Sequence, residues 1–230
     1  MVFSEHTRLQ YLNSMGITVW QSRFMPEYFT AVSPLESSEN IPIETPVIDS
    51  WEQLHTEVSS CQLCSLCTTR NQTVFGEGNV NADWMFVGEA PGEHEDKQGF
   101  PFIGEAGQLL NEMLHAMQLT REEIFLTNIL KCRPPSNRDP HVDEIKQCHD
   151  YLQRQIMLIQ PKIIIAVGRI AAQTLLETNE KIGKLRGNVY SFKNTPLIAI
   201  YHPAYLLRSL TEKRKAWQDL QFALQTFKSL

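Results

Sequence analysis

Apolar residues fall into short blocks of strand length, separated by longer stretches with helical spacing. Trp84–Val87, Ile124–Leu130, Ile163–Val167 and Leu197–Tyr201 are nearly continuous apolar runs, as expected of strands covered on both faces. Between them, Leu109, Leu110, Met113, Leu114 and Met117 share one face of a helix. Asp139-Pro140 reads as an N-cap followed by proline at the first helical position, opening a helix through Tyr151, Leu152, Ile156 and Ile159. Trp217, Leu220, Leu224 and Phe227 mark a last helix. Strands alternating with helices predict an α/β fold: a three-layer α/β/α sandwich around a central, mostly parallel four-stranded sheet.

Before about Ser50 the pattern changes. Residues 1–25 carry a short apolar series (Leu9, Leu12, Met15, Ile17, Trp20) that ends at Arg23. Residues 26–50 hold Pro26, Pro34, Pro42 and Pro46 among Ser and Glu with no sustained period, which reads as a linker. The expected organisation is a segment at 1–25, a linker at 26–50 and a folded domain at 51–230.

Composition supports a folded domain. Of 230 residues, 42% are hydrophobic and 20% charged, enough to build a core and too apolar for general disorder. No apolar run approaches the ~18 residues of a membrane span. With Glu5, His6 and Arg8 near its start, the chain lacks a signal-peptide pattern. A soluble, cytoplasmic monomer without a membrane partner is expected.

The net charge of −5 hides an asymmetry. Residues 1–60 carry eight acidic and two basic side chains, whereas residues 61–230 carry eighteen and nineteen. Lys181, Lys184, Arg186 and Lys193 lie in an acid-free stretch, and Arg208, Lys213, Arg214 and Lys215 cluster further on. Such patches can hold phosphates whatever the total charge.

Five cysteines are present. Cys61, Cys64 and Cys67 form C-x-x-C-x-x-C, and Cys132 and Cys148 are sixteen positions apart. Structural disulfides do not suit a cytosolic chain. Spacing leaves iron–sulfur, zinc and unliganded thiols open. A site joining residues near 61 to those near 132 and 148 would pin the start of the domain to its middle, a structural role.

Three strand ends carry unusual residues, and in parallel sheets ligands sit beyond those ends. Gly88-Glu89-Ala90-Pro91-Gly92 is a tight turn that lets backbone approach a ligand and offers Glu89 to it. It matches neither a Walker A loop nor a dinucleotide fingerprint. Asn128 offers a donor and an acceptor together, as a base edge requires. Phe102 is a candidate stacking ring, although aromatics are more often core. His202 can donate to a developing anion, and Leu206-Leu207-Arg208 joins apolar wedges to a phosphate-seeking cation.

Motifs in register extend these readings. They are Cys61/Cys64, GEGN at Gly76–Asn79, VGEAPGEHEDKQG at Val87–Gly99 and PFIGEAGQLL at Pro101–Leu110. TNILKCRPPSNRDP at Thr127–Pro140, Cys148, LRG at Leu185–Gly187 and HPAYLLR at His202–Arg208 complete the series. Over roughly residues 58–225 the chain resembles the family 4, iron–sulfur uracil-DNA glycosylases.

That resemblance implies a monofunctional enzyme that flips uracil out of DNA and hydrolyses its glycosidic bond. It places a structural [4Fe-4S] cluster on Cys61, Cys64, Cys132 and Cys148, with Cys67 surplus. It places the uracil pocket on Gly88, Glu89, Ala90, Gly92, Glu95, Phe102 and Asn128, with Asn137 near the rim. His202 becomes the group that stabilises the uracil anion, with Glu89 and Glu95 as candidates to activate water. Arg186, Tyr205, Leu206, Leu207 and Arg208 become DNA contacts, the leucines filling the gap left by the flipped nucleotide. Phe100 and Glu105 stand where relatives usually carry Lys or Arg, which bears on DNA affinity. The competing class is a non-catalytic iron–sulfur DNA-binding or replisome-adapter protein, which would need none of Glu89, Asn128 and His202.

The N-terminal run Leu9–Arg23, LQYLNSMGITVWQSR, is similar to the start of the psi subunit of the bacterial DNA polymerase III clamp loader. That similarity implies a docking peptide for clamp-loader or other replisome subunits; a helix packing on the domain is the plainer alternative.

Overall fold

The computed structural model describes residues 50–230. The segment expected at 1–25, with its partner-docking role, and the 26–50 linker apart from Ser50 lie outside the described residues. The strands are β1 (Glu77–Gly78), β2 (Trp84–Gly88), β3 (Ile124–Asn128), β4 (Ile163–Val167), β5 (Val189–Phe192) and β6 (Thr195–Ile200). The helices are α1 (Trp51–Ser59), α2 (Glu93–Gln98), α3 (Glu105–Ala116), α4 (Val142–Ile159), α5 (Arg169–Leu175), α6 (Ile182–Leu185), α7 (Pro203–Arg208) and α8 (Lys213–Lys228).

One sheet runs in the order β1-β3-β2-β4-β6-β5. Its four inner strands are parallel, and each comes from one of the apolar runs. The sheet has six strands rather than the four expected, because β1 and β5 add antiparallel edges. Neither leaves an apolar run: β1 has two residues, and only the last residue of β5 is buried. Edge strands face water and need no double-sided covering.

Side chains of successive strand residues point to opposite faces. Phe86, Leu126, Ile165 and Ile198 pack on one face against Leu110 and Leu114 of α3 and Leu220 of α8. Met85, Phe125, Ile164 and Leu197 pack on the other against Leu152 and Ile156 of α4 and Leu175 of α5. This is the three-layer arrangement. A third apolar compartment joins Leu54 and Val58 of α1 to Leu130, Cys132, Cys148 and Tyr151, with Cys61 and Cys64 packed against it.

One local expectation shifts. α4 starts at Val142 with His141 as its N-cap, not at Pro140. The Asp139 carboxylate is taken by Arg169 at 2.5 Å, and Glu144 accepts the His141 N–H at 2.8 Å to close the first turn. The HPAYLLR stretch, placed by the sequence only at a strand end, is helical from Pro203. Among the described residues no helix is long and apolar enough to cross a membrane.

Candidate active site

A cavity of about 860 Å³ opens beyond the carboxyl ends of the inner strands. It is lined by Glu89, Ala90, Gly92, Glu95, Phe102, Asn128, Asn137, His202, Tyr205 and Arg208, gathered from four separate loops and helix ends. The flanking sheet register sets this convergence: Gly88 pairs with Asn128 where β2 and β3 end together.

Gly88, expected in the pocket, does not line the cavity but lies directly behind two residues that do. A Cβ there would lie 2.3 Å from Asn128 Oδ1 and 2.5 Å from Phe102 Cζ, so only glycine lets the amide and the ring approach. Phe102 is 6% exposed and adopts a left-handed backbone with φ 54°. For a bulky residue that conformation costs about 1–3 kcal/mol and persists only where neighbours enforce it. Here the Phe102 carbonyl accepts from the Arg121 guanidinium, which also bonds Pro101 O at 3.1 Å, Asn111 Oδ1 at 2.8 Å and Glu77 Oε2 at 2.8 Å. The next two amides, of Ile103 and Gly104, donate to Glu95 Oε1 at 3.0 and 3.1 Å. Glu95 thus lines the cavity as an anchor for the ring's loop, and that oxygen is committed.

Asn128 is 3% exposed, and its side-chain amide makes no hydrogen bond among the described residues. A buried amide left open at a cavity wall is arranged for a ligand. The His202 ring lies 6.0 Å from the Phe102 ring, centroid to centroid. Its Nδ1 accepts the Ala204 N–H at 3.1 Å, at the start of α7. This fixes the tautomer that carries its proton on Nε2. Burial pushes the His202 pKa down to about 4, Arg208 adds to this, and Glu95 opposes it. The imidazole is therefore neutral at physiological pH and can only donate through Nε2–H.

Burial raises Glu89 to about 7, the Asp139 carboxylate works in the same direction, and Arg169 opposes both. Asn137, which lines the cavity, has φ 52°, and its Oδ1 accepts from Arg133 Nε at 2.7 Å.

Two expected DNA contacts are placed otherwise. Leu206 is 1% exposed and packs in the core beside Leu110 and Ile200, because α7 turns that side inward; Leu207 is 39% exposed. Arg186 pairs with the buried Asp219 at 2.7 Å, donates to Lys215 O at 2.5 Å and covers the Tyr201 ring at 4.7 Å. It locks α8 to the segment before His202 rather than offering a cation to solvent.

The compartment beside β3 gathers Cys61, Cys64, Cys132 and Cys148. Arg70 donates to Cys132 Sγ at 2.9 Å and the Lys131 N–H to Cys148 Sγ at 3.3 Å. Burial raises the Cys64 and Cys148 thiols and takes Cys132 to about 12. A bound metal's positive charge would favour the thiolate form of these three against that burial. Four sulfurs in one apolar compartment, two with N–H donors, fit an iron–sulfur cluster. Among the described residues, no three His, Cys, Asp or Glu side chains are arranged for a single metal ion. Cys67 instead lines a separate groove of about 600 Å³ with His55 and Phe100.

Sequence reasoning missed Arg121, Lys131 and the Asp139–Arg169 pair. Nothing periodic marks them, since each acts through specific bonds, Arg121 to Phe102 across nineteen positions and Lys131 to near and distant acceptors alike.

Residues 75–221 match the uracil DNA glycosylase superfamily. The chain is 47% identical over 169 residues to the type-4 uracil-DNA glycosylase of Sulfurisphaera tokodaii, covering 70% of this chain and 77% of that protein. It is 45% identical over 168 residues to the Archaeoglobus fulgidus type-4 enzyme (70% and 84%). Against that of Thermotoga maritima, identity is 39% over 170 residues (72% and 88%). The strand-end cavity, from Glu89 to Arg208, lies inside the matched region, and by these identities this chain belongs to the type-4 uracil-DNA glycosylases.

Proposed function

We propose that the protein excises uracil from DNA as a monofunctional glycosylase, leaving free uracil and an abasic site. The observation that carries this reading is the meeting of an aromatic ring, an open amide and a neutral imidazole in one cavity: Phe102, Asn128 and His202.

A base inside a duplex is out of reach, so the nucleotide must rotate out, at a cost of a few kcal/mol. Leu207 and Tyr205, both 39% exposed on α7, are placed to fill the vacated stack, and Arg208 to hold a phosphate. The extruded base lies on Phe102. Asn128 accepts from N3–H and donates to O4, a pattern that cytosine presents reversed. Buried hydrogen-bonding groups left unpaired reject the wrong base strongly.

Cleavage breaks the C1′–N1 bond and leaves its electron pair on the uracil ring. The His202 Nε2–H donates to O2 as that charge develops. One preorganised donor of this kind is worth about 10²–10³ in rate. Water adds its oxygen to C1′ and passes a proton to Glu89. With its pKa raised to about 7, that carboxylate is both partly ionised and basic enough at neutral pH. Among the described residues no lysine lines the cavity to form a Schiff base, so no lyase step is expected.

Cys61, Cys64, Cys132 and Cys148 are assigned as ligands of a [4Fe-4S] cluster, and Cys67 as a free thiol. When bound, the cluster supplies iron–thiolate bonds that tie the end of α1 to α4 and to the segment after β3.

The test uses purified protein with uracil-containing and matched thymine-containing oligonucleotides, followed by alkali to cleave abasic sites. Strand breaks are expected with uracil alone, and His202→Ala and Asn128→Ala slow them by orders of magnitude. Equal breakage with both substrates, or none with the wild-type protein, overturns the reading.

A further inference from the structure

One fully buried side chain has no part in the mechanism above. Lys131 is 1% exposed, three residues after Asn128 and directly before Cys132. Lysine is almost never buried to this degree without partners for its protons. Its Nζ donates to Thr127 Oγ1 at 2.6 Å, to the Asn128 carbonyl at 2.9 Å and to Gln155 Oε1 at 2.7 Å. Two of these acceptors are themselves held, since Gln155 Nε2 and Thr127 Oγ1 donate to the Phe75 carbonyl at 2.9 and 3.0 Å. The backbone of Lys131 is fixed as well: its N–H reaches Cys148 Sγ at 3.3 Å and its carbonyl accepts from Val74 at 2.8 Å. The stretch from Asn128 to Cys132 therefore carries a pocket amide at one end and a compartment thiol at the other, with Lys131 bonded to both regions.

We propose that Lys131 is a positioning residue that seats Asn128 for base recognition and couples that seating to the cysteine compartment. This rests on the glycosylase reading, in which Asn128 reads the base edge. A space-filling role is a poor account of the residue. A methionine or leucine would occupy the same volume without desolvating an amine, but would leave three buried acceptors without the donor they now share. What an apolar side chain could not do is hold the Asn128 carbonyl in a fixed orientation. A residue that aims a neighbour within a pocket changes catalysis through placement, where errors near 1 Å are costly.

The experiment uses the full chain purified with its iron, as wild type, Lys131→Met and Thr127→Val. The second variant keeps the shape of Thr127 and removes one acceptor of the network. Iron per chain, visible absorbance, duplex affinity and single-turnover excision are measured on each. Lys131→Met is expected to keep its iron and absorbance, bind duplex within about twofold of wild type, and excise uracil at least about tenfold more slowly. Thr127→Val is expected to show a smaller loss in the same excision step.

Wild-type excision by Lys131→Met overturns the assignment, and so does a loss of excision that merely follows lost iron. If Lys131→Met does not fold, Thr127→Val decides: slower excision with full iron supports the proposal, and an unchanged rate overturns it. A wild-type protein that fails to excise uracil in the same assay overturns the glycosylase reading instead.

Discussion

His202 Nδ1 accepts the backbone N–H of Ala204 at 3.1 Å, so the same turn that starts α7 dictates which ring nitrogen carries the proton. The imidazole is committed as a neutral donor, with its pKa depressed to about 4, while Glu89 sits near 7. Two groups of one cavity are thus pushed to opposite sides of their ordinary values, the pattern expected of paired acid and base roles.

The pH dependence of excision follows. Glu89 accepts a proton only as the carboxylate, so the single-turnover rate is expected to fall as pH drops through about 7. His202 titrates near 4 and adds no step between about pH 5 and 9. Glu89→Gln is expected to lower the rate and flatten the profile. Stability carries the opposite sign. Because the folded pKa of Glu89 is raised, its contribution is full below the unfolded value of 4.5 and is lost as pH rises through about 7. Denaturant titrations should find Glu89→Gln gaining on wild type from pH 4 to pH 8.

Gly88→Ala tests the packing behind the ring and the amide. The added methyl would meet the Asn128 amide and the Phe102 ring at 2.3 and 2.5 Å, so both must move. Overpacking of this kind costs typically 1–3 kcal/mol, roughly the loss expected in unfolding free energy. Excision should fall by far more than that loss of folded protein explains. A variant as active as wild type would mean that ring and amide need not sit where they do.

The adjacent leucines of α7 are expected to separate cleanly. Leu206→Ala removes a core side chain and should destabilise by about 2–5 kcal/mol. Leu207→Ala should leave stability within about 0.5 kcal/mol of wild type. It should slow excision from duplex DNA more than from single strands, because only the duplex has a stack to refill. Thermal melts and paired substrate assays distinguish the two.

Deleting residues 1–25 is expected to leave excision intact while abolishing capture of purified clamp-loader subunits. Unchanged capture would remove the docking reading of that segment.

The inner sheet was legible in the sequence because strands buried on both faces cannot hide: Ile163–Val167 has no polar residue to interrupt it. β1 and β5 were illegible for the converse reason, with one neighbour each and solvent beyond. The candidate site was legible wherever a rare residue type stood at a strand end, as with Asn128 and His202. Its support was not. Arg121 reaches Phe102 across nineteen positions, and Arg186 reaches Asp219 across thirty-three, distances over which no local pattern operates. The inward turn of Leu206 could not be read either, since adjacent leucines look alike until a helix assigns their faces.

Arg121 and Glu95 grip the Phe102 turn from opposite sides, one at its carbonyl and the other at the two amides that follow. The ring is consequently held by the fold itself, and in the proposed function the conformational cost of presenting it is met during folding rather than at each encounter. Under the proposed function, receiving a base then demands nothing of the enzyme's own backbone at this point, because the surface it would settle on is already formed.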